Sequence, residues 1–315
     1  MNQKVNEMLV SQQTEWELAR TNYSALKHVK VKELCVEGVT YKVQFNPARI
    51  VSSAAKVDAK TLQARKCFLC PAHLPKEQTG LPFNDYYQIL VNPFPIFPRH
   101  LTVPELAHVP QRIDGRLGDM LDLAQQLTDF VVFYNGPRCG ASAPDHAHFQ
   151  AGNKGFLPLE SSWRSLIAEE VGHWGTASLY TLHDAPRATL VITSTRRDDV
   201  LQLFQHLYAQ LPVADGEVEP MLNLLALYEE GQWVLFVFPR KKHRPSCYTA
   251  EGEANILLSP ASVDMGGVFI TPLEKDFNKI TACDIAQILH EVCFSPEELK
   301  VLVNRMSASL PSNSL

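Results

Sequence analysis

Two imidazoles and a carboxamide alternate with apolar residues in His146-Ala147-His148-Phe149-Gln150. In a β-strand, residues two apart share a face. The spacing therefore predicts His146, His148 and Gln150 on one surface, with Ala147 and Phe149 turned into a core. Imidazole acts as nucleophile and base near neutral pH, and two of them with an amide are costly as core filler. The alternative is a pair of hydrogen-bonded histidines without a chemical role. The stretch ahead, Asn135-Gly136-Pro137-Arg138-Cys139-Gly140-Ala141-Ser142, is a glycine-rich turn with Asn and Ser donors. Backbone N–H groups in such a turn approach an anion closely. Arg138 adds a cation to it, unless it is a solvated surface side chain.

A second constellation is Cys67-Phe68-Leu69-Cys70. Such a pair serves as a metal clip or a redox site. Phe-Leu between the cysteines and the lack of a thioredoxin-like βαβ pattern argue against redox chemistry. With two histidines it would make a tetrahedral zinc site; two buried free cysteines are the alternative. The chain has seven cysteines, an odd number, mostly scattered singly, which does not suit a disulfide scaffold. A third segment, Arg240-Lys241-Lys242-His243-Arg244, follows an apolar strand, and most charge runs are solvated faces. The pairs Glu229-Glu230 and Glu169-Glu170 read as turn and helix surface. There is no P-loop and no G-x-G-x-x-G, so kinase and dehydrogenase readings have no support.

These residues need a scaffold. The 315 residues are 45% apolar and 20% charged, enough for about two domains with a sizeable core. A net charge of −5 leaves no fold-wide basic footprint for nucleic acid. No apolar run approaches the ~18 residues of a membrane span, and residues 1–5 lack an apolar signal-peptide core. A soluble, cytoplasmic protein is expected, with neither nucleic acid nor membrane as partner.

Val5, Met8, Leu9, Trp16, Ala19, Tyr23 and Leu26 predict one amphipathic helix over 5–26. A strand follows a hairpin turn at Glu37-Gly38, and residues 46–85 are irregular. Further strands are predicted at 86–92, 101–103, 130–134 and 145–150, with a helix marked by Leu117, Met120, Leu121, Ala124 and Leu127. The second half repeats this grammar loosely: strands at 190–193, 221–227 and 233–238, and helices at 198–211, 282–292 and 296–306. The expected domains are 1–180, carrying the chemistry, and 181–315, with the boundary near 175–187.

Taken in order, Leu90-Val-Asn92-Pro93 through His100-Leu-Thr-Val-Pro104, His108, the Asn135…Gly140-Ala-Ser142 turn and His-Ala-His-Phe-Gln resemble the histidine triad (HIT) superfamily. The likeness is to its transferase branch: galactose-1-phosphate uridylyltransferase, diadenosine tetraphosphate phosphorylase and GDP-L-galactose phosphorylase. Triad hydrolases carry H-x-H-x-H and the transferases H-x-H-x-Q; this chain has Gln150. The likeness is strong over residues 65–160 and weaker at Asn223-Leu-Leu, Trp233–Arg240 and Asp264-Met-Gly-Gly267. One departure is Asp145, which stands between Pro144 and His146 where two of these groups place Pro directly before the first His.

The resemblance implies an α+β fold of two HIT-like halves, each an antiparallel β-sheet flanked by helices. The second half would be degenerate, lacking its own H-x-H. It implies His148 as a nucleophile that forms a covalent nucleotidyl-histidine. Gln150 would hold phosphoryl oxygens without acting as an acid, so the intermediate would await a phosphate-bearing acceptor. Zinc would sit on Cys67, Cys70, His108 and His146, with His73 as runner-up ligand. Asn92 would contact the ribose, unless it only caps a turn. Asn135, Arg138, Gly140 and Ser142 would surround the phosphates, and Arg240 and its neighbours would meet the acceptor. The expected activity is a nucleotidyltransferase or phosphorylase acting on a nucleotide sugar or dinucleoside polyphosphate, with phosphate or a sugar phosphate as acceptor. The alternatives are a triad nucleotide hydrolase and a non-catalytic nucleotide-binding or zinc-stabilised protein. Triad enzymes often pair, so a homodimer is also expected.

Overall fold

The computed structural model describes residues 1–50, 59–183 and 186–310. Its strands, in chain order, are β1 (Lys30–Val36), β2 (Val39–Phe45), β3 (Leu81–Phe83), β4 (Tyr87–Val91), β5 (His100–Pro104), β6 (Phe130–Asn135), β7 (His148–Asn153), β8 (Ile167–Trp174), β9 (Ala177–Leu182), β10 (Leu190–Ser194), β11 (Leu222–Glu229), β12 (Gln232–Pro239) and β13 (Val268–Thr271). Ten of them form one antiparallel sheet in the order β3-β4-β5-β7-β6-β11-β12-β10-β9-β8. The others form a three-stranded sheet, β1-β2-β13.

The α+β class holds, with the two expected sheets fused edge to edge. Reading outward from the central β6–β11 pair, the halves run β6-β7-β5-β4-β3 and β11-β12-β10-β9-β8. Within each half this is the fourth, fifth, third, second and first strand. Each half also places a helix, Leu117–Gln126 or Arg197–Gln210, between its third and fourth strands. One topology is thus used twice. Joining at β6 and β11 pairs two edges that would otherwise expose unpaired backbone. The counterpart of β7 is β12, an apolar strand without histidine.

Strand membership divides the halves between Asn153 and Ile167, and β9 runs across position 180. The reason is that β9 pairs with β10 on one side and β8 on the other. Residues 184–185 of the expected boundary region, and 51–58 of the irregular stretch, lie outside the described residues.

Alternating side chains sort the two faces of the large sheet. Leu101, Val103, Val132, Tyr134, Phe149 and Ala151 join one core, packed with Met120 and Leu121 of the helix Leu117–Gln126. Each such fully buried Leu, Val, Phe or Met side chain contributes roughly 1.5–3 kcal/mol. Val131, Phe133 and Leu225 point the other way, into the core shared with Tyr41, Val43 and Phe269 of the small sheet. The same face of β5 and β7 carries His100, Thr102, His148 and Gln150, through the pairs His100↔Gly152 and Thr102↔Gln150.

Two local expectations change. The helix over 5–26 is broken at Trp16, which is extended (φ −96, ψ 108) between helices Asn2–Glu15 and Glu17–Leu26. This break lets the buried Trp16 wall a cavity. Glu169 and Glu170 lie on β8, an outer strand whose register shifts twice, and not on a helix. The irregular pairing there blurs the period-2 pattern that would have marked it.

Candidate active site

β7 begins at His148, so His146 precedes the strand in a turn where its N–H donates to the Ala143 carbonyl at 3.1 Å. The turn separates the two imidazoles. His148 and Gln150 face a cavity of about 560 Å3, while His146 faces the cysteines. The expectation of one shared face therefore holds for His148 and Gln150 and not for His146.

His148 is held at three atoms. Its N–H donates to Gln111 Oε1 at 2.8 Å, and its carbonyl accepts from Gln111 Nε2 at 3.0 Å. The same Nε2 reaches the Asn135 carbonyl at 3.0 Å, which clips the start of β7 to the end of β6. Nδ1 of the ring lies 2.8 Å from the His146 carbonyl oxygen. A carbonyl only accepts, so Nδ1 carries the proton and Nε2 keeps its lone pair. Burial pushes the imidazole down to about 4, against the raising effect of the His146 carbonyl. The ring is neutral at pH 7 and nucleophilic at Nε2.

Gln150 lines the cavity beside Thr102 and Asn92. Its Oε1 accepts from His100 Nε2 at 3.1 Å and from Asn92 Nδ2 at 3.5 Å. Asn92 Nδ2 also donates to Thr102 Oγ1 at 3.0 Å, and its Oδ1 caps the Phe94 N–H at 2.9 Å. Turn capping and cavity lining are thus both true of Asn92.

The turn before β7 behaves as its composition suggests. Gly140 has φ +93, and a Cβ there would lie 2.5 Å from Ala261 Cβ. Only glycine lets the turn adopt that conformation against the 260–262 segment. Gly140, Ser142 and Asn135 line the cavity. Asn135 Oδ1 accepts from Asn223 Nδ2 at 2.9 Å and from Ser262 N and Oγ at 2.8 and 2.7 Å.

Arg138 and Arg240 do not line this cavity. Arg138 is exposed and pairs with Glu217 at 2.9 Å. Arg240 is buried, and its guanidinium donates to Val292 O, Asn223 Oδ1, Pro260 O, Lys242 O and His243 O. It shapes the 240–244 and 260 loops and has no donor left for a ligand. Lys241 and Lys242 pair with Glu298 and Glu291. His243 and Arg244 are the members of the run that reach the cavity. Burial and the cations of Arg244, Arg138 and Arg240 hold the His243 ring down to about 4, hence neutral.

Sequence reasoning missed two of the cavity's cations, Arg49 and Arg65, and named Arg244 within the 240–244 run. Arg49, Arg65 and Arg244 line the cavity against one carboxyl, Asp264. Arg49 donates to the Phe94 carbonyl at 2.7 Å. Arg65 Nε is buried and, among the described residues, has no hydrogen-bond partner. Burial raises Asp264 to about 7, against the N–H groups of Ala261 and Ile270, which weakens the opposing charge. A chain of net −5 thus encloses a cationic cavity suited to phosphates.

Beside it, Cys67, Cys70, His108 and His146 place their four ligand atoms within 4.8 Å of one another. Cys67 Sγ is 3.3 Å from His146 Nδ1, and Cys70 Sγ is 3.2 Å from His108 Nδ1 and 3.6 Å from His146 Nδ1. A tetrahedral zinc with its usual bond lengths spaces ligand atoms about 3.3–3.8 Å apart, and these three separations lie at that spacing. His146 Nε2 donates to the Glu105 carbonyl at 2.7 Å, which leaves Nδ1 free to ligate. Burial alone would raise the Cys67 thiol, but His146 and the N–H groups of Leu69 and Cys70 bring it down to about 6. Burial and the neighbouring Cys67 raise Cys70. Asp145, the departure noted above, pairs with Arg65 at 2.8 Å and reaches His108 Nε2 at 3.9 Å. His73 is outside the cluster; its Nδ1 donates to the Cys67 carbonyl at 2.8 Å.

Residues 8–153 match the family described as Domain of unknown function (DUF4922). No curated protein matches the sequence. Among solved structures, the chain is similar to yeast Ap4A phosphorylase Apa2 in complex with Ap4A. That match has a TM-score of 0.55 at 17% identity, covering 89% of this chain and 97% of the other. The same yeast protein in complex with AMP gives 0.54 at 17% identity, covering 93% and 96%. Among the described residues, no helix is long and apolar enough to cross a membrane.

Proposed function

From a chain with the fold of the histidine triad transferases, we propose a nucleotidyltransferase of the phosphorylase type that works through a covalent nucleotidyl-His148. The observation that carries this reading is the His148 ring. Its Nδ1 proton is committed to the His146 carbonyl, and its Nε2 lone pair faces a cavity lined by three arginines.

His148 Nε2 attacks the α-phosphorus of the bound nucleotide. A P–N bond forms, the P–O bond to the leaving phosphate breaks, and that phosphate departs with the electron pair. The ring is now cationic, and the His146 carbonyl accepting from Nδ1–H stabilises it. Oxygen of a phosphate-bearing acceptor then attacks the same phosphorus, and the P–N pair returns to Nε2. Arg49, Arg65 and Arg244 bind the anionic substrates, and Gly140 and Ser142 flank the reacting phosphate. Gln150 donates to phosphoryl oxygen. It cannot serve as a general base, which favours transfer over hydrolysis.

Zinc is the metal this reading assigns to Cys67, Cys70, His108 and His146, where it would cross-link three segments of the chain. Its contribution would be to hold His146, whose carbonyl accepts from His148 Nδ1.

The yeast relative is a phosphorylase of Ap4A seen with Ap4A and with AMP, so dinucleoside polyphosphates head the substrate panel, followed by nucleotide sugars. The test is incubation with each, with and without phosphate, and mass spectrometry of the intact chain. A nucleotidyl adduct on His148 that phosphate discharges is the expected result. Turnover without an adduct would favour a different chemistry, and binding without turnover would favour the non-catalytic reading.

A further inference from the structure

Resting on the transferase reading above, we propose that His100 is a positioning residue that locks the Gln150 carboxamide with its NH2 toward the cavity. Gln150 then offers the reacting phosphate donors only.

Two backbone amides set the orientation. His100 is fully buried on β5. Its Nδ1 accepts from the Ile96 N–H at 3.1 Å. A backbone N–H can only donate, so Nδ1 carries the lone pair and the neutral ring keeps its proton on Nε2. That Nε2–H points at Gln150, 3.1 Å away. The atom it meets must accept, so it is the carboxamide oxygen.

Asn92 adds a longer, weaker contact of the same sense, 3.5 Å to Gln150 Oε1. Its Oδ1 accepts from the Phe94 N–H at 2.9 Å, which turns its NH2 toward Thr102 Oγ1 and Gln150 Oε1. A flipped Gln150 would set its NH2 against two N–H donors and leave three donors without an acceptor, a costly arrangement in a buried site.

The chain that supplies the two amides explains its own composition. In Pro93-Phe94-Pro95-Ile96, proline removes the N–H at alternate positions and leaves those of Phe94 and Ile96. One sets Asn92 and the other sets His100. The ring is fixed in place by Phe97 and Phe133, at 5.3 and 5.9 Å between centroids. Phe97 fits because Gly152, opposite His100, has no side chain; a Cβ there would lie 2.3 Å from the Phe97 ring. Burial and the nearby Arg49 keep the imidazole neutral down to about 3, so the relay keeps its polarity at working pH.

The consequence concerns water. A carboxamide oxygen turned into the cavity would accept from a water beside the nucleotidyl-histidine, whereas an NH2 group repels that O–H. His100 would thus act on the partition between acceptor and water without touching substrate.

His100→Leu removes the donor to Gln150, and His100→Gln keeps both an acceptor for Ile96 N–H and a donor for Gln150. In the Leu variant, hydrolysis of the adduct relative to phosphate-dependent discharge should rise about tenfold, as one misdirected hydrogen bond implies. Adduct formation should persist, and the Gln variant should return most of the partition. A Leu variant with wild-type partition, or a Gln variant as leaky as Leu at equal thermal stability, would overturn the proposal. A readout independent of activity is the 15N spectrum of the wild-type histidines. It should show His100 as the Nε2–H tautomer; an Nδ1–H tautomer would sink the proposal. If the wild-type protein forms no adduct while that tautomer is seen, the transferase reading fails and the orientation of Gln150 stands.

Discussion

Nδ1 of His148 lies 2.8 Å from the carbonyl oxygen of His146, so the residue that closes the Cys2His2 cluster also sets the tautomer of the cavity's imidazole. The geometry of the Cys2His2 cluster and that of the proposed nucleophile are joined by one hydrogen bond across two residues.

Removing the metal should therefore reach the chemistry. The expectation is about one zinc per chain when the protein is purified without added metal. Cys67→Ser should lose the metal and several degrees of Tm, since ligation is coupled to folding. Adduct formation should fall in the same preparation. Elemental analysis beside a thermal melt checks this, and a fully folded, stable, metal-free wild-type protein would refute it.

His148→Ala should abolish the adduct with the fold intact, a loss of ~4–8 kcal/mol in barrier terms. His148→Gly should recover part of the rate with added imidazole. Gln150→His, which restores a proton-transferring side chain, should shift products from transfer toward hydrolysis. Product analysis with labelled phosphate reads both. Full turnover by the Ala variant would rule out the nucleophile.

Arg240 and Arg244 should separate cleanly, although four residues apart. Arg240→Ala strands Asn223 Oδ1 and several carbonyls and should cost about 2–4 kcal/mol of stability. Arg244→Ala gives up its stack on Tyr248 and its bond to Ser259 Oγ; it should cost less stability than Arg240→Ala and raise KM for the anionic substrates. Neutralising Lys241 and Lys242, which pair with Glu298 and Glu291 away from the cavity, should change neither half-reaction. Denaturant melts and the kinetics of each half-reaction decide the case.

His100 predicts an acid-side loss of stability. Its folded value is lowered from 6.5 to about 3 by burial and Arg49. Well above ~6.5 the ring is neutral folded and unfolded, and contributes no pH dependence. Below ~6.5 the unfolded chain binds a proton that the folded one refuses, so stability falls until the pH passes below about 3. At ~1.4 kcal/mol per unit the loss is about 2–3 kcal/mol by pH ~4.5. His100→Phe should flatten the stability curve between pH 6 and 4, measured by urea melts; an unchanged slope would contradict it.

Much of the scaffold was legible in the chain because it is local. The strands at 87–91, 130–135 and 232–239 and the helices at 197–210 and 282–292 follow from apolar period and length. Glu37-Gly38 and Glu230-Gly231 take positive φ at hairpin turns, as their sequence suggests. β8 escaped because its register shifts break the alternation. The split at Trp16 escaped because nothing in the apolar spacing of 5–26 interrupts the helical period.

By itself, the sequence determined the chemistry-bearing residue types: His148 and Gln150 two apart on a strand, a cysteine pair, and a glycine-rich turn before them. Period-2 geometry requires no knowledge of distant neighbours. Only the tertiary structure decided which residues face them. Sheet order β4-β5-β7-β6 brings His100 to Gln150 across fifty positions. The packing of three far-apart segments turns Arg49, Arg65 and Arg244 into one cavity while it buries Arg240 among carbonyls. A charged side chain's role depends on what the folded chain sets opposite it. That is a property of strand order and loop packing, which local spacing does not encode.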